Sequence, residues 1–250
     1  MCTPRIYEAI LKIVKAGFKP DAVFDHLDIG AGEGKLIADL KTRFPGVKAH
    51  ACDYHIARFP LKDVPIRQVD LNCEALPFAE ASFDLVTCSE VLEHLENYRQ
   101  LLREAARVLK PGGLLIVTTP NVLNMQSRLR YMIAGFPVLF RPLPLSSEET
   151  YSADSHITPI AYFHLAHSLL GAGFERIQTG LDKTQKTSLV LLSLFWPFLF
   201  LFWAWFWRRE LKKGHIGANR DLVLAHRSYK ILVSRTLVVA ARKTPGRLSA

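Results

Sequence analysis

A short apolar run that ends in a glycine-rich turn constrains this chain more than any other segment. The sequence LDIGAGEGKL occupies residues 27–36, with glycines at Gly30, Gly32 and Gly34. Glycine permits the tight turn between a buried strand and a helix, and it lets a ligand approach the backbone. The nicotinamide-dinucleotide fingerprint needs a glycine where Lys35 stands, so the pattern here is G-x-G-x-G. Taken alone, the pattern also fits an ordinary βα connection.

Apolar runs alternate with helical patterns along most of the chain. Residues with helical spacing predict helices over 5–16, 33–43, 90–109 and 159–171. Short apolar or alternating runs predict strands over 23–30, 47–53, 66–72, 83–89, 112–120, 174–180 and 235–243. This alternation predicts an α/β fold with a doubly wound, mostly parallel sheet of seven strands.

Aspartates lie within or after the first three predicted strands. Asp28 is in the first strand, Asp53 ends the second, and Asp70 lies near the end of the third. The carboxyl ends of parallel strands form the edge of the sheet where such folds bind ligands. A carboxylate at Asp53 can accept hydrogen bonds from both ribose hydroxyls, and Asp70 could reach an adenine amino group. Asp53 or Asp70 alone could be a turn or cap residue, but the glycine turn followed by both in strand order predicts an adenosyl ligand.

The motifs around these residues resemble a known family. Four segments are similar to successive motifs of class I S-adenosylmethionine-dependent methyltransferases, in the group of ubiquinone and menaquinone methyltransferases: LDIGAGEG, CDYH, VDLNCEALPFAEASFDLVTCSEVLEHL and RVLKPGGLLIVTTPN. The resemblance covers about residues 23–121 and is weaker as far as residue 182. It implies S-adenosyl-L-methionine as cofactor. It implies that the methionine part passes Gly30, Gly32 and Gly34, that Asp28 holds its ammonium, that Asp53 binds the ribose, that Tyr54, Asp70 and Leu71 lie beside the adenine, and that Ser89 borders the sulfonium.

Two histidines are candidates for the proton transfer that a hydroxyl acceptor would require. His94 follows the fourth predicted strand, and His156 lies in a polar loop that could fold over the site. Each could equally be a packing or capping residue. If residues 90–109 are one helix, Glu90, Glu93 and His94 share a face and could hold a divalent cation, with His156 as a fourth ligand. Relatives without a known metal share this pattern, so we assign no metal ligand.

A second feature is an uncharged segment of 20 residues. Residues 188–207 contain all four tryptophans, and lysines or arginines flank them on both sides. As a helix the segment would be roughly 30 Å long, the thickness of a hydrocarbon core. If the strands before and after the segment pair in one sheet, both must lie on the same side of the membrane. A single crossing of the membrane would leave them on opposite sides. We therefore expect the segment to lie in the membrane interface or to dip into it, with Pro197 allowing a bend. A buried core helix or a dimer contact is the alternative.

The net charge of +9 comes from the same part of the chain. Residues 183–250 contain 13 lysines and arginines but only two acids, whereas residues 1–182 contain 19 basic and 21 acidic residues. Such a basic region is typical of contact with nucleic acid or with lipid headgroups. Because the basic residues flank a tryptophan-rich apolar segment, we expect a membrane surface and no nucleic acid.

The four cysteines and the first residues bear on the compartment. Cys2, Cys52, Cys73 and Cys88 form no C-x-x-C pair, so their spacing favours a reducing compartment over a disulfide framework. The first 17 residues mix charged and apolar side chains and do not resemble a secretory signal. We expect the protein at the cytoplasmic face of a membrane, monotopic or peripheral.

These observations predict one methyltransferase domain made of residues 1–187 and 214–250. Residues 188–213 form a membrane-associating insertion between the last two strands. The expected reaction is O-methylation of a membrane-resident or amphipathic acceptor, such as a quinone precursor, an isoprenoid or phenolic lipid, or a lipid-linked sugar. The alternatives are a methyltransferase of soluble small molecules, a non-catalytic cofactor-binding membrane subunit, and an RNA methyltransferase.

Overall fold

The computed structural model describes residues 4–146, 155–214 and 216–246. Within them, seven strands form one sheet: β1 Phe24–Ile29, β2 Val47–Asp53, β3 Ile66–Gln68, β4 Phe83–Ser89, β5 Leu109–Pro120, β6 Phe174–Leu181 and β7 Thr236–Lys243. The α-helices are α1 Pro4–Gly17, α2 Lys35–Arg43, α3 Tyr98–Val108, α4 Met125–Ala134, α5 Tyr162–Gly171, α6 Lys186–Lys212, α7 Arg220–Ala225 and α8 Tyr229–Val233. Short 3-10 turns cover Ile56–Arg58, Leu92–His94 and Gly217–Asn219.

The strand order is β3-β2-β1-β4-β5-β7-β6. The first five strands are parallel, whereas β7 lies between β5 and β6 and is antiparallel to both. The order reverses between β1 and β4, and ligands of doubly wound sheets bind at such a point, beyond the carboxyl ends of the strands. The predicted fold class is confirmed, including the apolar insertion between the last two strands.

Apolar layers cover both faces of the sheet. Ile10 and Val14 of α1 are fully buried against one face, in a cluster that includes Ile116 of β5. On the other face, Leu102 of α3 and Leu165 of α5 pack into the larger cluster. The central strands are therefore buried on both sides, which explains their continuous apolar runs.

The prediction of one helix over residues 90–109 was wrong. Glu90 adopts a left-handed conformation with φ of 55°, and its N–H donates to the Thr118 carbonyl oxygen of β5 at 3.1 Å. A 3-10 turn follows, and α3 starts only after Asn97, whose side chain accepts from the Gln100 N–H at the helix N-terminus. Glu90, Glu93 and His94 therefore do not share the face of an α-helix.

Other predicted boundaries also differ from the structure. The third strand ends at Gln68 instead of Asn72, and Asp70 then forms a turn in which its Oδ1 accepts from the Asn72 N–H at 2.9 Å. The stretch 132–140 includes the end of α4, where Met132 and Ile133 are exposed. Residues 147–154, which include the start of the polar loop around His156, lie outside the described residues.

The apolar segment forms one continuous helix of 27 residues, α6, which runs through Pro197. Among its described side chains only Ser188 is buried. Leu191, Leu192 and Leu199 pack partly against a small cluster on α4 and α8. The helix is long and apolar enough to cross a membrane, and by length and composition alone this is weak evidence. Most of its apolar surface is exposed, which argues against the alternative of a buried core helix.

Candidate active site

The glycine turn lies between β1 and α2 at the reversal point of the sheet. Gly30, Gly32 and Gly34 all have positive φ angles, of 72°, 54° and 69°. A Cβ on Gly30 would lie 2.3 Å from a methyl group of Val91, so packing within the protein excludes a side chain there. A Cβ on Gly32 would meet no atom within 4 Å. The backbone at Gly32 therefore faces open space, as a loop that cradles a ligand should.

Asp53 is held against this turn at the end of β2. Its Oδ2 accepts from the Gly32 N–H at 2.8 Å, and its Oδ1 accepts from the His55 N–H at 2.9 Å. Each oxygen of the Asp53 carboxylate can accept one further hydrogen bond, so the carboxylate can also accept hydrogen bonds from two hydroxyl groups. The residues present thus fit the ribose of an adenosyl cofactor, although the role of Asp53 stays a prediction.

Asp28 lies in β1 and belongs to a buried polar chain. Its Oδ1 accepts from the Thr87 hydroxyl at 2.6 Å, and Thr87 contacts the His26 ring at 2.7 Å. Burial raises the pKa of Asp28 to about 7, against the hydrogen bond from Thr87 and with a smaller contribution from Asp53. Asp28 thus titrates near neutral pH, where a cationic ammonium would favour its charged form.

The other predicted cofactor residues lie along the same edge of the sheet. Tyr54 follows β2 with 54% of its side chain exposed, and Asp70 and Leu71 lie in the turn after β3. Ser89 ends β4, where its hydroxyl lies 3.1 Å from the Thr118 hydroxyl of β5. The carboxyl ends of β1 to β4 therefore carry all of these residues, and their individual contacts with a cofactor stay predictions.

Glu90 and Glu93 follow β4, and their ionisation is coupled. Burial raises the pKa of Glu90 to about 7, although its Oε1 accepts from the Thr118 hydroxyl at 3.1 Å. Glu93 is fully buried, and burial together with the Glu90 charge raises its pKa well above the usual range. Neither Glu93 oxygen accepts a hydrogen bond of normal geometry from the described residues. Burial therefore favours the protonated form of the Glu93 carboxyl, and a bound cation would favour the charged form instead.

The structure brings His94 and His156 together. Their ring centroids are 4.9 Å apart, and the N–H groups of Ile157 and Thr158 donate to the Glu93 carbonyl oxygen at 2.8 and 2.9 Å. His94 Nδ1 lies 2.8 Å from the Ser155 carbonyl oxygen. A carbonyl cannot donate, so Nδ1 carries the proton and the neutral ring has its basic lone pair on Nε2. This is the tautomer that either a general base or a metal ligand requires.

Donor atoms of Glu93, His94 and His156 all lie within 4.8 Å of one another. Such a set of one carboxylate and two imidazoles could hold a divalent cation. It differs from the set considered above, because Glu90 is not a member. A proton on Glu93 would neutralise its carboxylate in the same arrangement without a metal.

Several polar residues of this region were not anticipated from the sequence. Thr118 bridges β5 to Glu90 and Ser89, and Thr87 with His26 surrounds Asp28. The threonine pair at the end of β5 was the available signal, but which partners it would meet depends on strand register.

Comparison with known proteins supports this arrangement. A family model described as "Methyltransferase domain" matches residues 27–117. The match covers 91 of the 250 residues. The matched residues hold the glycine turn, the aspartates and both glutamates, so the predicted class I fold and its cofactor, S-adenosylmethionine, are confirmed at the level of this domain.

Relatives and a solved structure extend the comparison. A probable S-adenosylmethionine-dependent methyltransferase from Mycolicibacterium smegmatis is 40% identical over 102 residues, 39% of this chain and 38% of that protein. A ubiquinone biosynthesis O-methyltransferase from Idiomarina loihiensis is 34% identical over 120 residues, 45% of this chain and 49% of that protein. The chain thus spans less than half the length of both. A methyltransferase structure from Archaeoglobus fulgidus shares the fold, with a TM-score of 0.59 at 14% identity, over 95% of this chain and 93% of that one.

Proposed function

We propose that the protein is an enzyme that transfers a methyl group from S-adenosylmethionine to an oxygen atom of a membrane-resident or amphipathic acceptor. Candidate acceptors are a quinone precursor, an isoprenoid or phenolic lipid, or a lipid-linked sugar. The similarity to a protein named as a ubiquinone biosynthesis O-methyltransferase supports an oxygen acceptor. We further propose that the enzyme lies at the cytoplasmic face of a membrane, monotopic or peripheral, and binds no nucleic acid.

The observation that carries the proposal is where α6 joins the domain. The Ser188 hydroxyl at the base of α6 accepts from the Gln126 N–H at 3.2 Å and lies 3.4 Å from the Asn124 side chain. Asn124 follows β5 by four residues, so the apolar helix starts at the carboxyl edge of the sheet. That edge also carries the glycine turn and His94. An acceptor that entered from a membrane along α6 would therefore arrive on the side of the sheet where the methyl group is transferred.

The chain's own residues can perform the steps of a methyl transfer. A bound S-adenosylmethionine supplies an electrophilic methyl group on a positively charged sulfur. Gly32 leaves room for the cofactor, Asp53 accepts hydrogen bonds from the ribose hydroxyls, and Asp28 pairs with the ammonium group. His94 Nε2 then removes the proton of an acceptor hydroxyl as the oxygen attacks in line.

The experiment is to incubate membrane lipid extracts with the protein and methyl-labelled S-adenosylmethionine, followed by mass spectrometry. We expect label in one class of extractable lipid. The variant His94→Gln should lower the rate by roughly 100-fold or more, because a general base contributes factors of that size. His167→Gln is the matched control, since His167 is exposed on α5. Label found only in water-soluble compounds would exclude a lipid acceptor and favour a soluble small molecule.

A further inference from the structure

A cavity of about 620 Å³ separates part of α6 from the rest of the fold. Its volume is in the range of small-molecule sites. One wall consists of aromatic side chains of α6, including Trp196, Phe200 and Trp203, and the opposite wall includes Leu123 and Leu232. The cavity is therefore apolar over most of its surface and fits hydrocarbon rather than a polar metabolite.

The polar residues of this cavity are basic. Arg128, His226 and Arg227 line it, and none of its lining residues is acidic. Arg128 Nε donates to the Leu123 carbonyl oxygen at 2.6 Å, and no ion pair of Arg128 or Arg227 occurs among the described residues. The Arg227 guanidinium instead lies over the Trp203 ring, 5.2 Å from its centroid. Two cations thus face an apolar cavity without a carboxylate to compensate them.

The electrostatics of these residues agree with an open anion site. Burial lowers the pKa of the Arg128 guanidinium, which shows that the charged form is poorly solvated there. Burial also lowers the pKa of His226, with a further contribution from Arg128, although the Leu222 carbonyl oxygen opposes this shift. A half-buried cation such as Arg128 without a carboxylate partner is costly, and a bound anion would reduce that cost.

We propose that this cavity binds an anionic phospholipid taken from the bilayer. Its phosphate lies beside Arg128 and Arg227, and one acyl chain lies along the aromatic wall of α6. Basic pockets next to membrane helices recognise anionic headgroups through this combination of charge and apolar contact. The inference rests on the proposed membrane contact of α6 but not on methyl transfer. The outer face of α6, with Leu194 and Leu201 about two-thirds exposed, would supply that contact.

Tryptophan fluorescence can measure the binding of a lipid in the cavity. All four lie on α6, and of these Trp196 and Trp203 line the cavity. The double variant Trp205→Phe, Trp207→Phe therefore leaves indoles only at the cavity. In neutral detergent micelles, this protein is titrated with phosphatidylglycerol or phosphatidylcholine whose acyl chains carry bromine, which quenches indole fluorescence on contact. We expect half-maximal quenching at a mole fraction of phosphatidylglycerol about tenfold lower than that of phosphatidylcholine.

Charge variants test the headgroup. Arg128→Met with Arg227→Met should abolish the preference for phosphatidylglycerol. Arg208→Met with Lys212→Met removes the same charge from the end of α6, away from the cavity lining, and should keep the preference. If loss of Arg128 prevents folding, Arg227→Met alone serves, because Arg227 is exposed, and it should lower the preference severalfold.

The outcomes separate the inference from the proposed function. Equal quenching by phosphatidylglycerol and phosphatidylcholine would overturn the phospholipid site. So would an equal loss of the preference for phosphatidylglycerol in the cavity variant (Arg128→Met with Arg227→Met) and in the control variant (Arg208→Met with Lys212→Met). Absence of quenching by either lipid, in a protein that still floats with vesicles, would overturn the site and leave the membrane contact intact. Failure to float with any vesicle would instead refute the membrane contact.

Discussion

Replacement of Asp53 by alanine tests the cofactor site most directly. The half-buried carboxylate accepts backbone hydrogen bonds from Gly32 and His55, and both oxygens keep a second acceptor position for the ribose. A hydrogen bond to a charged group contributes about 1.5 to 3 kcal/mol, and solvent access favours the lower value. Two lost ribose contacts therefore cost about 3 kcal/mol, which corresponds to a dissociation constant roughly 150-fold higher.

Isothermal titration calorimetry with S-adenosylmethionine measures this effect. Asp39→Ala is the matched control, because Asp39 is exposed on α2 and its loss changes the net charge equally. Thermal melting should show that both variants stay folded, since the two backbone N–H groups released at Asp53 can bind water. An affinity for Asp53→Ala equal to that of Asp39→Ala would refute the ribose assignment, and with it the placement of the adenosyl group at this edge.

Four further predictions concern the buried acids and α6. The pKa of Asp28 is raised to about 7, and its charged form is the one that pairs with the ammonium. As the pH increases towards 7, cofactor affinity should therefore increase about tenfold per pH unit, and above pH 7 it should stay constant. The variant Asp28→Asn should remove this pH dependence. The same shift means that Asp28 binds more protons in the unliganded fold than in the unfolded chain between pH 3.8 and 7, so the contribution of Asp28 to stability should fall as pH rises through that range. A cofactor affinity independent of pH would contradict the pairing of Asp28 with the ammonium. Because no metal ligand is assigned, dialysis against a chelator should leave turnover unchanged; activity lost and then restored by Mg²⁺ would instead assign Glu93, His94 and His156 as ligands. Leu194→Glu with Leu201→Glu should reduce flotation with lipid vesicles by tenfold or more, whereas Val23→Glu with Leu170→Glu, an exposed pair away from α6, should leave it unchanged.

The strands and the glycine turn were predictable because their signals are local. β1 and β4 are buried on both faces, so their apolar runs mark them within one or two residues. The three glycines need positive φ angles that are set within the turn itself. The strand-end aspartates follow from the same pattern, since parallel strands present their carboxyl ends together.

The region after β4 was not predictable in the same way. Its residues fit a helix by spacing, but Glu90 takes a left-handed conformation because its N–H bonds to Thr118 on the neighbouring strand. His156 reaches His94 through backbone hydrogen bonds to Glu93 from residues more than 60 positions away. Long-range contacts of this kind decide the catalytic geometry, and a pattern read along one segment does not contain them.

The return of the chain after α6 limits how this helix can meet a membrane. The ends of the insertion are joined, because the Gln185 N–H donates to the Val233 carbonyl oxygen at 2.8 Å and the Arg235 N–H donates to the Lys183 carbonyl oxygen at 3.2 Å. The returning chain also packs along the middle of α6, where Arg227 contacts the Trp203 ring.

A spanning orientation of α6 would bring this arginine and its neighbours to the depth of the hydrocarbon core. A charged side chain there costs about 2.5 to 3.5 kcal/mol. An orientation in the plane of the interface keeps Arg227 among the headgroups while the outer, apolar face of α6 contacts acyl chains. The strand order requires the chain to return to the sheet, and the charged return segment therefore favours a helix that lies on the membrane over one that crosses it.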